Sequence, residues 1–538
     1  MTETYDYIIV GAGSAGCVLA CRLSADPSIR VLIIEAGGRD THPFVRMPMG
    51  FLFALRNPKL RWTYWSEPEP SLNGRRLFLP RGRVLGGSSS INGMIHMRGH
   101  PLDYDTWAQM GCTGWSHADV LPYFIRSERS WRGSNDVHGG EGPLSVRAID
   151  GKRLLHEPLM RSAAAAGYSA TSDLDKDGEG FALGEINVDA RGRRHSAARA
   201  YLYPALKRAN LSLLANTTTL RVAIEKGRAV GVEIAEDGGG ARILRAEREV
   251  ILAGGAYNSP QLLMLSGIGP AAHLREHGID VRLDLPGVGS NLSEHARVPV
   301  VFAAAKPVTF IRELRIDRAA LSVARWAMFG DGAFASQISS CNIVIRTRPE
   351  LAQPDVQLMS APIRLDAKLW APFVNDRQEH RLMADAVVLH PHARGHVRLA
   401  SDDPRAPVRI QLNIFDNEAD RATAREGIRA ARHIYRTAPQ GELTGREILP
   451  GAEADSDAAL DAFIREHAGV TQHPVGTCAM GAGPEAVVDP QLRVRGLEGL
   501  RVVDASIMPT VPGANTNASA VMIGEKGADL VLGRNAAR

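Results

Sequence analysis

The carboxyl-terminal part of the chain carries a histidine that could act as a base. His473 is followed closely by Pro474 and Gly476, which form turns more readily than they pack in a core. A histidine takes up a proton near neutral pH, so it could remove the proton of a hydroxyl group. Asn515 and Asn517 lie further along, and a neutral amide beside a base could bind the same oxygen. The competing interpretations are that the histidine is a structural residue with its hydrogen bonds satisfied and that the two asparagines only stabilise a turn.

Three glycines near the amino terminus have the spacing of a dinucleotide-binding turn. Gly11, Gly13 and Gly16 follow a short apolar run and open a stretch of helical character. In this arrangement the first glycine permits the tight turn, the second lets the backbone approach a pyrophosphate, and the third lets helix and strand pack closely. A second apolar run ends at Glu35, where a carboxylate can bind ribose hydroxyls. The pattern predicts a βαβ unit that binds a dinucleotide, with FAD and NAD both open.

Two more segments could contribute to the same site. Residues 83–92 contain glycines and three consecutive serines, which offer many N–H and O–H donors to an anion or a ring. A flexible surface loop would have the same composition. Asp504 ends an apolar run and faces a turn, where it could also simply cap a helix.

The elements that would position these residues alternate along the chain. Residues 43–80, rich in proline, aromatics and arginine, are expected to form a long excursion over the surface. From about residue 300 to 470 the chain is rich in arginine, alanine and histidine and lacks a glycine motif, so we interpret it as a substrate-side region. Strands are predicted at residues 211–214, 220–224, 229–234, 249–252 and 500–503, and helices at residues 420–435, at residues 457–466 and from about Ala518.

The composition is that of an ordinary globular protein. The 538 residues include 63 lysines and arginines against 59 aspartates and glutamates. A net charge of +4 is small for this length, so neither nucleic acid nor an acidic membrane is an expected partner. The five cysteines show no zinc spacing, and no metal site is predicted. With no signal peptide and no apolar run of roughly 18 residues, we expect a cytoplasmic location without a membrane span.

In this order, the motifs resemble those of the glucose–methanol–choline (GMC) oxidoreductases. The resemblance covers nearly the entire chain and is strongest toward the branch of choline-dehydrogenase-like alcohol dehydrogenases and oxidases. The stretches that carry it are residues 7–17, 80–89, 255–269, 285–292, 473–481 and 501–525.

The resemblance implies an α/β fold built from two interleaved parts. A Rossmann-like FAD-binding domain would be interleaved with an α+β substrate-binding domain built on an antiparallel sheet. The FAD-binding domain is expected to comprise residues 1–155, 196–300 and 470–538, and the substrate-binding domain residues 156–195 and 301–469.

The resemblance also implies FAD rather than NAD and suggests the cofactor contacts. Ile91 stands where some relatives carry the histidine that tethers the flavin, so non-covalent FAD is expected. The contacts implied for the pyrophosphate, ribose and adenine are Gly11, Gly13, Ser14, Ala15, Gly16, Glu35 and Val222. Those implied for the flavin and its ribityl side are Gly87, Ser88, Asn92, Gly93, Met94, Ile95, Asp504 and Ala505, and Ala36, Arg83, Asn515 and Thr516 complete the expected set.

The reaction implied by the resemblance is FAD-dependent oxidation of a small-molecule alcohol to an aldehyde, with a primary alcohol favoured. The family's catalytic histidine corresponds to His473, which would take the hydroxyl proton while a hydride passes to flavin N5. The second active-site position, histidine or asparagine among members, corresponds to Asn515. Oxygen and a quinone or carrier protein both stay open as electron acceptors, and the oligomeric state stays open as well.

Three residues depart from the family pattern or stand near its motifs without an assigned role. Glu294 replaces the usual aspartate, His295 is interpreted as structural, and His96 stands where many relatives carry an aromatic residue.

Three functions besides alcohol oxidation stay open. Within the family, the chain could be a non-redox hydroxynitrile lyase that contains FAD. It could also be a non-catalytic flavin-binding protein. A nicotinamide-dependent dehydrogenase would share only the glycine motif.

Overall fold

The glycine motif lies in the βαβ unit that the sequence predicts. In the computed structural model, which describes residues 4–236, 240–372, 374 and 378–534, the parallel strands Thr4–Val10 and Val31–Glu35 are joined by the helix Ser14–Leu23. Residues 7–10 of the first strand and all residues of the second are buried. Strands covered on both faces are expected to be continuously apolar, as these two runs are.

The first sheet gathers strands from three separate parts of the chain. Its spatial order is Thr217–Glu225, Arg228–Glu236, Ala241–Leu252, Thr4–Val10, Val31–Glu35 and Leu211–Ala215, with Leu500–Val502 beside Ala241–Leu252. All five strands predicted between residues 211 and 503 are therefore confirmed. The strands that carry the glycine turn, Glu35 and Asp504 at their carboxyl ends run parallel, so the three features meet at one edge of the sheet.

The second sheet is antiparallel throughout, as the substrate-side region is expected to be. Its spatial order is Thr444–Leu449, Ala296–Ala304, Arg381–Val388, Val356–Ala361, Asn342–Ile345 and Gly180–Ala182, with Gly469–Val470 beside Ala296–Ala304. The α/β fold class is confirmed. The division into domains stays a prediction, although Ala296–Ala304 runs across the boundary expected at residue 300.

The helices pack around the two sheets. The three predicted helices are confirmed as Glu418–Arg436, Asp457–His467 and Asn517–Leu532. The others are Ser14–Leu23, Pro43–Arg46, Phe51–Ala54, Pro101–Gln109, His117–Ser127, His156–Ala165, Leu174–Asp177, Tyr203–Ala205, Gly255–Leu265, Ala271–Glu276 and Ile316–Phe329. Smaller sheets are formed by Arg61–Trp65 with Phe78–Gly82, Glu128–Ser130 with Leu144–Ala148 and Glu185–Ile186, Ile268–Gly269 with Leu283–Asp284, and His396–Arg398 with Arg409–Gln411.

Residues 43–80 do not form the surface excursion expected from their composition. Met47, Met49 and Phe51 are buried in a cluster with Val301 of the second sheet. Apolar side chains in an irregular segment can bury themselves as well as those of a strand, and here they close one side of a cavity.

Two further observations apply to the described ranges only. Within them, no helix combines the length and apolar character that crossing a membrane requires. The same residues contain no group of three or more histidine, cysteine or acidic side chains arranged to hold a metal ion. All five cysteines are free.

Candidate active site

A large cavity joins the two sheets. Its volume is about 810 Å³, and its wall runs from the glycine turn to strands of the second sheet, including Met359 and Met383. His473 and Asn515 both line it. The predicted cofactor residues and the predicted catalytic pair therefore face the same space.

The glycine turn is fixed by close backbone contacts. Gly11 has φ +104°, and a Cβ atom there would lie 2.5 Å from the carbonyl oxygen of Ala253. A Cβ atom on Gly16 would lie 1.9 Å from the carbonyl oxygen of Gly11. Gly13 is different, because a Cβ atom there would meet protein only at 3.9 Å, so its missing side chain leaves space open toward the cavity. The helix that follows has no side-chain N-cap, which leaves N–H groups for an anion.

Glu35 presents its carboxylate to the cavity from the end of its strand. Oε2 accepts a hydrogen bond of 2.9 Å from the N–H of Ala12, and Oε1 accepts one of 2.8 Å from Gly37. Burial raises the pKa of Glu35 to about 7, because few polar partners offset the loss of water. Ribose hydroxyls would supply the missing donors, so the position fits the expected role.

The serine-rich segment forms a turn of 3₁₀-helix, Gly87–Ser90, against the glycine motif. Just beyond it, Met94 has φ +63°, and its N–H donates to Asn92 Oδ1 at 3.0 Å. The same oxygen accepts a hydrogen bond of 2.7 Å from Nη1 of the buried Arg194. Left-handed backbone costs free energy for a non-glycine residue, and these side-chain contacts hold it in place.

Asp504 performs the capping role considered for it and also lines the cavity. Oδ1 accepts a hydrogen bond of 2.8 Å from the N–H of Ser506, which caps a 3₁₀-helix. Oδ2 accepts bonds from Gly255 N–H at 2.8 Å and Ser259 Oγ at 2.6 Å. The two roles are compatible because the carboxylate lies at the edge of the first sheet.

Most predicted cofactor residues line the cavity, and three do not. Those at the wall are Gly11, Gly13, Ser14, Ala15, Glu35, Ala36, Gly87, Ser88, Asn92, Gly93, Met94, Ile95, Asp504, Ala505, Asn515 and Thr516. Gly16 lies one turn behind the wall, where its role is close packing. The Arg83 guanidinium instead lies 4.8 Å from the ring centre of Trp62.

Val222 is the third, and here the sequence-based assignment needs correction. Its N–H donates to Ser266 Oγ at 2.8 Å, and its side chain is buried, so neither is directed at the cavity. The same strand reaches the cavity three to five residues earlier, at Thr217–Thr219. The run of three threonines at the start of a strand is the sequence signal that could have indicated this position.

His473 is held at four points. Its Nε2 lies 3.2 Å from Asn515 Nδ2, and its N–H donates to Glu294 Oε1 at 2.5 Å. Its Nδ1 lies 2.9 Å from Thr471 Oγ1 and 2.9 Å from His295 Nδ1. Burial, and then the neighbouring His295 and Arg81, hold the pKa of His473 well below its usual value. The ring is therefore neutral and able to accept a proton.

The residue before His473 is held in an uncommon conformation. Gln472 has φ +71°, and Arg81 binds both its carbonyl oxygen at 2.9 Å and its Oε1 at 2.7 Å. Gln472 Nε2 donates to the carbonyl oxygen of Phe78 at 3.1 Å. These bonds compensate the cost of the positive φ and fix the direction in which His473 leaves the backbone.

Asn515 is positioned by a buried aspartate. Asp103 Oδ2 accepts hydrogen bonds from the N–H groups of Gly513 at 2.9 Å and His100 at 2.8 Å. Asn515 Oδ1 is buried and has no hydrogen-bond partner among the described residues. An unpaired buried oxygen at a cavity wall is a site where a bound molecule would supply a donor.

Four arginines and three acidic residues lie in the cavity wall. Asp385 is paired with Arg297, with 2.9 Å between Oδ1 and Nη1. Glu35 and Asp504 lie at the edge of the first sheet and accept backbone hydrogen bonds. Four arginines reach the wall, and they are Arg56, Arg75, Arg81 and Arg297.

Two more histidines that the sequence left without an assigned role lie close to these residues or motifs. His295, interpreted from the sequence as structural, contacts His473 directly. His96 is buried with its Nδ1 3.2 Å from Asn187 Nδ2, and it does not line the cavity.

A parallel-stranded edge carrying a glycine turn, opposite a histidine–asparagine pair, defines a dinucleotide-dependent oxidoreductase. The sequence matches the family models for GMC oxidoreductases over residues 5–297 and 391–524, so the chain belongs to the GMC oxidoreductase family.

Similar proteins extend over nearly the whole chain. An oxygen-dependent choline dehydrogenase of Sinorhizobium fredii is 43% identical, covering 98% of this chain and 96% of that protein. The corresponding protein of Brucella canis is 44% identical with the same coverage. Pyridoxine 4-oxidase from Mesorbium loti has a TM-score of 0.87 at 30% identity, covering 97% of this chain and 98% of its own. A formate oxidase has a TM-score of 0.91 at 27% identity, and the match covers 99% of this chain and 98% of the formate oxidase chain.

Membership of this family decides between the two dinucleotides. The protein is an FAD-dependent oxidoreductase of the alcohol dehydrogenase and oxidase class. The site fits FAD: the open space at Gly13, the carboxylate of Glu35 and the unpaired Asn515 Oδ1 are arranged along one cavity.

Proposed function

We propose that this protein oxidises a neutral primary alcohol to an aldehyde, with His473 as the base. The observation that carries the proposal is the pairing of His473 Nε2 with Asn515 Nδ2, 3.2 Å apart on the wall of the cavity that also holds the glycine turn. One group can accept a proton and the other can donate a hydrogen bond, and both reach the same small volume.

The chemistry of the pair follows from its protonation. FAD, when bound, supplies the acceptor for the hydride that leaves the substrate carbon. His473 is neutral because burial lowers its pKa, so its Nε2 can accept the hydroxyl proton. Asn515 Nδ2 can donate to the oxygen as negative charge builds on it. The O–H bond breaks, an N–H bond forms on His473, and the C–O bond becomes a carbonyl.

The charge of the cavity supports a neutral substrate. A quaternary ammonium is usually bound by aromatic faces together with unpaired negative charge. Among the described wall residues, Asp385 is paired with Arg297, and the two remaining acidic groups lie at the cofactor edge. Apolar side chains such as Phe51, Leu52 and Met359 would instead contact a hydrocarbon or aromatic alcohol.

Choline is the second candidate, and the observation that favours it is the 43% identity to choline dehydrogenases over 98% of the chain.

Within the proposal, FAD is non-covalent, because Ile91 lines the cavity where a tethering side chain would be needed. Acid precipitation of the protein should therefore release all flavin into the supernatant, and flavin retained in the pellet would contradict this part.

The test is anaerobic mixing of the purified yellow protein with benzyl alcohol, 1-hexanol and choline while flavin absorbance is followed. We expect fast bleaching by at least one neutral alcohol and slow bleaching by choline; the reverse order would make choline the substrate.

His473→Ala, with FAD bound, should slow bleaching by about 100-fold or more. Unchanged bleaching would refute the base assignment. Bound flavin that no alcohol bleaches would favour a hydroxynitrile lyase.

The same sample separates the two electron acceptors. Fast recolouring of the bleached enzyme in oxygen would identify an oxidase. Slow recolouring in oxygen, accelerated by a soluble quinone, would identify a dehydrogenase.

A further inference from the structure

His295 lies directly behind the base and is buried away from the cavity wall. Its Nδ1 is 2.9 Å from His473 Nδ1, and the two rings are nearly perpendicular, at 86°. Its Nε2 is 3.0 Å from the carbonyl oxygen of Leu389. The two imidazoles and this carbonyl therefore form a continuous chain of hydrogen bonds.

The carbonyl oxygen of Leu389 fixes the proton on His295 Nε2. A carbonyl can only accept, so His295 Nε2 must carry a proton and donate it to Leu389. A neutral His295 then has a lone pair on Nδ1, to which His473 Nδ1 can donate. Burial lowers the pKa of His295 to about 3, so the neutral form is the relevant one.

The second contact at His473 Nδ1 agrees with this assignment. The hydroxyl of Thr471 lies 3.4 Å from the carbonyl oxygen of His295, to which it can donate, so its oxygen can accept from His473 Nδ1 at 2.9 Å. Both neighbours of His473 Nδ1 thus act as acceptors. The remaining nitrogen, Nε2, keeps its lone pair and faces Asn515 and the cavity.

Given the base assignment above, we propose that His295 is a positioning residue that holds His473 in the tautomer with its proton on Nδ1. In the opposite tautomer, His473 Nε2 would carry the proton and could not accept one from the substrate. When His473 accepts the hydroxyl proton, its ring becomes a cation, and its hydrogen bond to His295 becomes charge-assisted and stronger. His295 would therefore favour the competent tautomer before the reaction and stabilise the protonated ring after it.

A direct test is a nitrogen NMR spectrum of the wild-type holoenzyme labelled with ¹⁵N-histidine. A difference spectrum against His473→Gln assigns the two ring nitrogens of His473. We expect the shift of a protonated nitrogen at Nδ1 and of an unprotonated nitrogen at Nε2. A proton found on Nε2 would overturn the proposal, and this measurement needs no substrate.

A matched pair of variants tests the same point by kinetics. His295→Asn and His295→Leu have similar volumes and both lose the bond to Leu389, but only asparagine keeps an acceptor near the position of Nδ1. With the alcohol that bleaches the wild type fastest, we expect His295→Leu to slow anaerobic bleaching about 100-fold and His295→Asn to recover most of that loss. The concentration of alcohol at half-maximal rate should change little in either variant.

The outcomes separate this proposal from the proposed function. Equal bleaching rates for the asparagine and leucine variants, with FAD bound in both, would overturn the role of His295. Failure of every alcohol to bleach the wild type would count against the proposed function instead, while the tautomer spectrum would still decide the inference. If His295→Leu does not retain FAD, the tautomer spectrum of the wild-type holoenzyme decides the inference, because it requires no variant at position 295.

Discussion

Two glycines three residues apart should respond in opposite ways to the same substitution. Gly16→Ala places a methyl group 1.9 Å from the carbonyl oxygen of Gly11, which is about 1.5 Å inside ordinary contact. The obstacle is backbone, so the helix Ser14–Leu23 must move away from its strand. Overpacking of this kind costs about 1–3 kcal/mol, and the rigid neighbour favours the upper end.

Gly13→Ala is the matched control for stability and the test for cofactor binding. Gly13 has φ −76°, which alanine adopts readily, and the new Cβ atom would meet protein only at 3.9 Å. Loss of unfolded-state freedom should therefore stabilise the apoprotein by about 0.4–1 kcal/mol. The methyl group occupies space that a pyrophosphate would need, so we expect FAD affinity to fall at least about tenfold, or about 1.4 kcal/mol.

The assay combines denaturant unfolding of the apoproteins with FAD titration. We expect Gly16→Ala to lower the unfolding midpoint and Gly13→Ala to leave it unchanged or raise it, with weaker FAD binding in Gly13→Ala. If Gly13→Ala bound FAD with wild-type affinity, the turn would not be the pyrophosphate site. If Gly16→Ala unfolded like the wild type, close packing would not explain that glycine.

Three further predictions concern the rest of the cavity. Asp103→Asn should lower the rate of flavin bleaching several-fold without weakening FAD binding, because it loosens the Gly513 loop that carries Asn515; weakened FAD binding with unchanged bleaching would refute this. Burial raises the pKa of Glu35 to about 7, so the folded apoprotein binds this proton more tightly than the unfolded chain does. The free energy of unfolding should therefore fall as the pH rises from about 4.5 to about 7. Unfolding curves should show that Glu35→Gln lacks this part of the pH dependence. Arg297→Gln should leave Asp385 as an unpaired carboxylate in the wall and raise the rate with choline relative to benzyl alcohol about tenfold; an unchanged ratio would place the pair outside the substrate space.

The parts of the site that follow local rules could be predicted from the sequence. The roles of Gly11, Gly13 and Gly16 depend on the geometry of a turn only a few residues long, so their spacing in the sequence is enough to predict the turn. Glu35 follows from the same logic, because the end of the next parallel strand must lie at the same sheet edge. The helix Glu418–Arg436 can also be predicted from the sequence, because its buried residues recur with the period of a helix.

The rest depends on contacts that spacing does not encode. Val222 lies in the predicted strand, but which residues of a strand reach a cavity depends on where its end lies relative to the neighbouring helix. The composition of residues 43–80 predicts a surface position, because composition alone cannot show that their apolar side chains meet Val301, which is more than 200 positions away in the sequence. The contact of His295 with His473 joins residues 178 positions apart.

The position of His473 depends more on the second sheet than on the first. Ala296 pairs with Val470 in the antiparallel sheet, and the N–H of Thr471 donates to the carbonyl oxygen of His295 at 3.0 Å. This register places His295 and His473 side by side at the point where the chain leaves the second sheet. The glycine turn belongs to the first sheet, so the distance between His473 and this turn is set by how the two sheets pack. A one-residue slip of the Gly469–Val470 strand would turn the side chains that lead to His473 to the opposite face and would break its contacts with Glu294, Thr471 and His295.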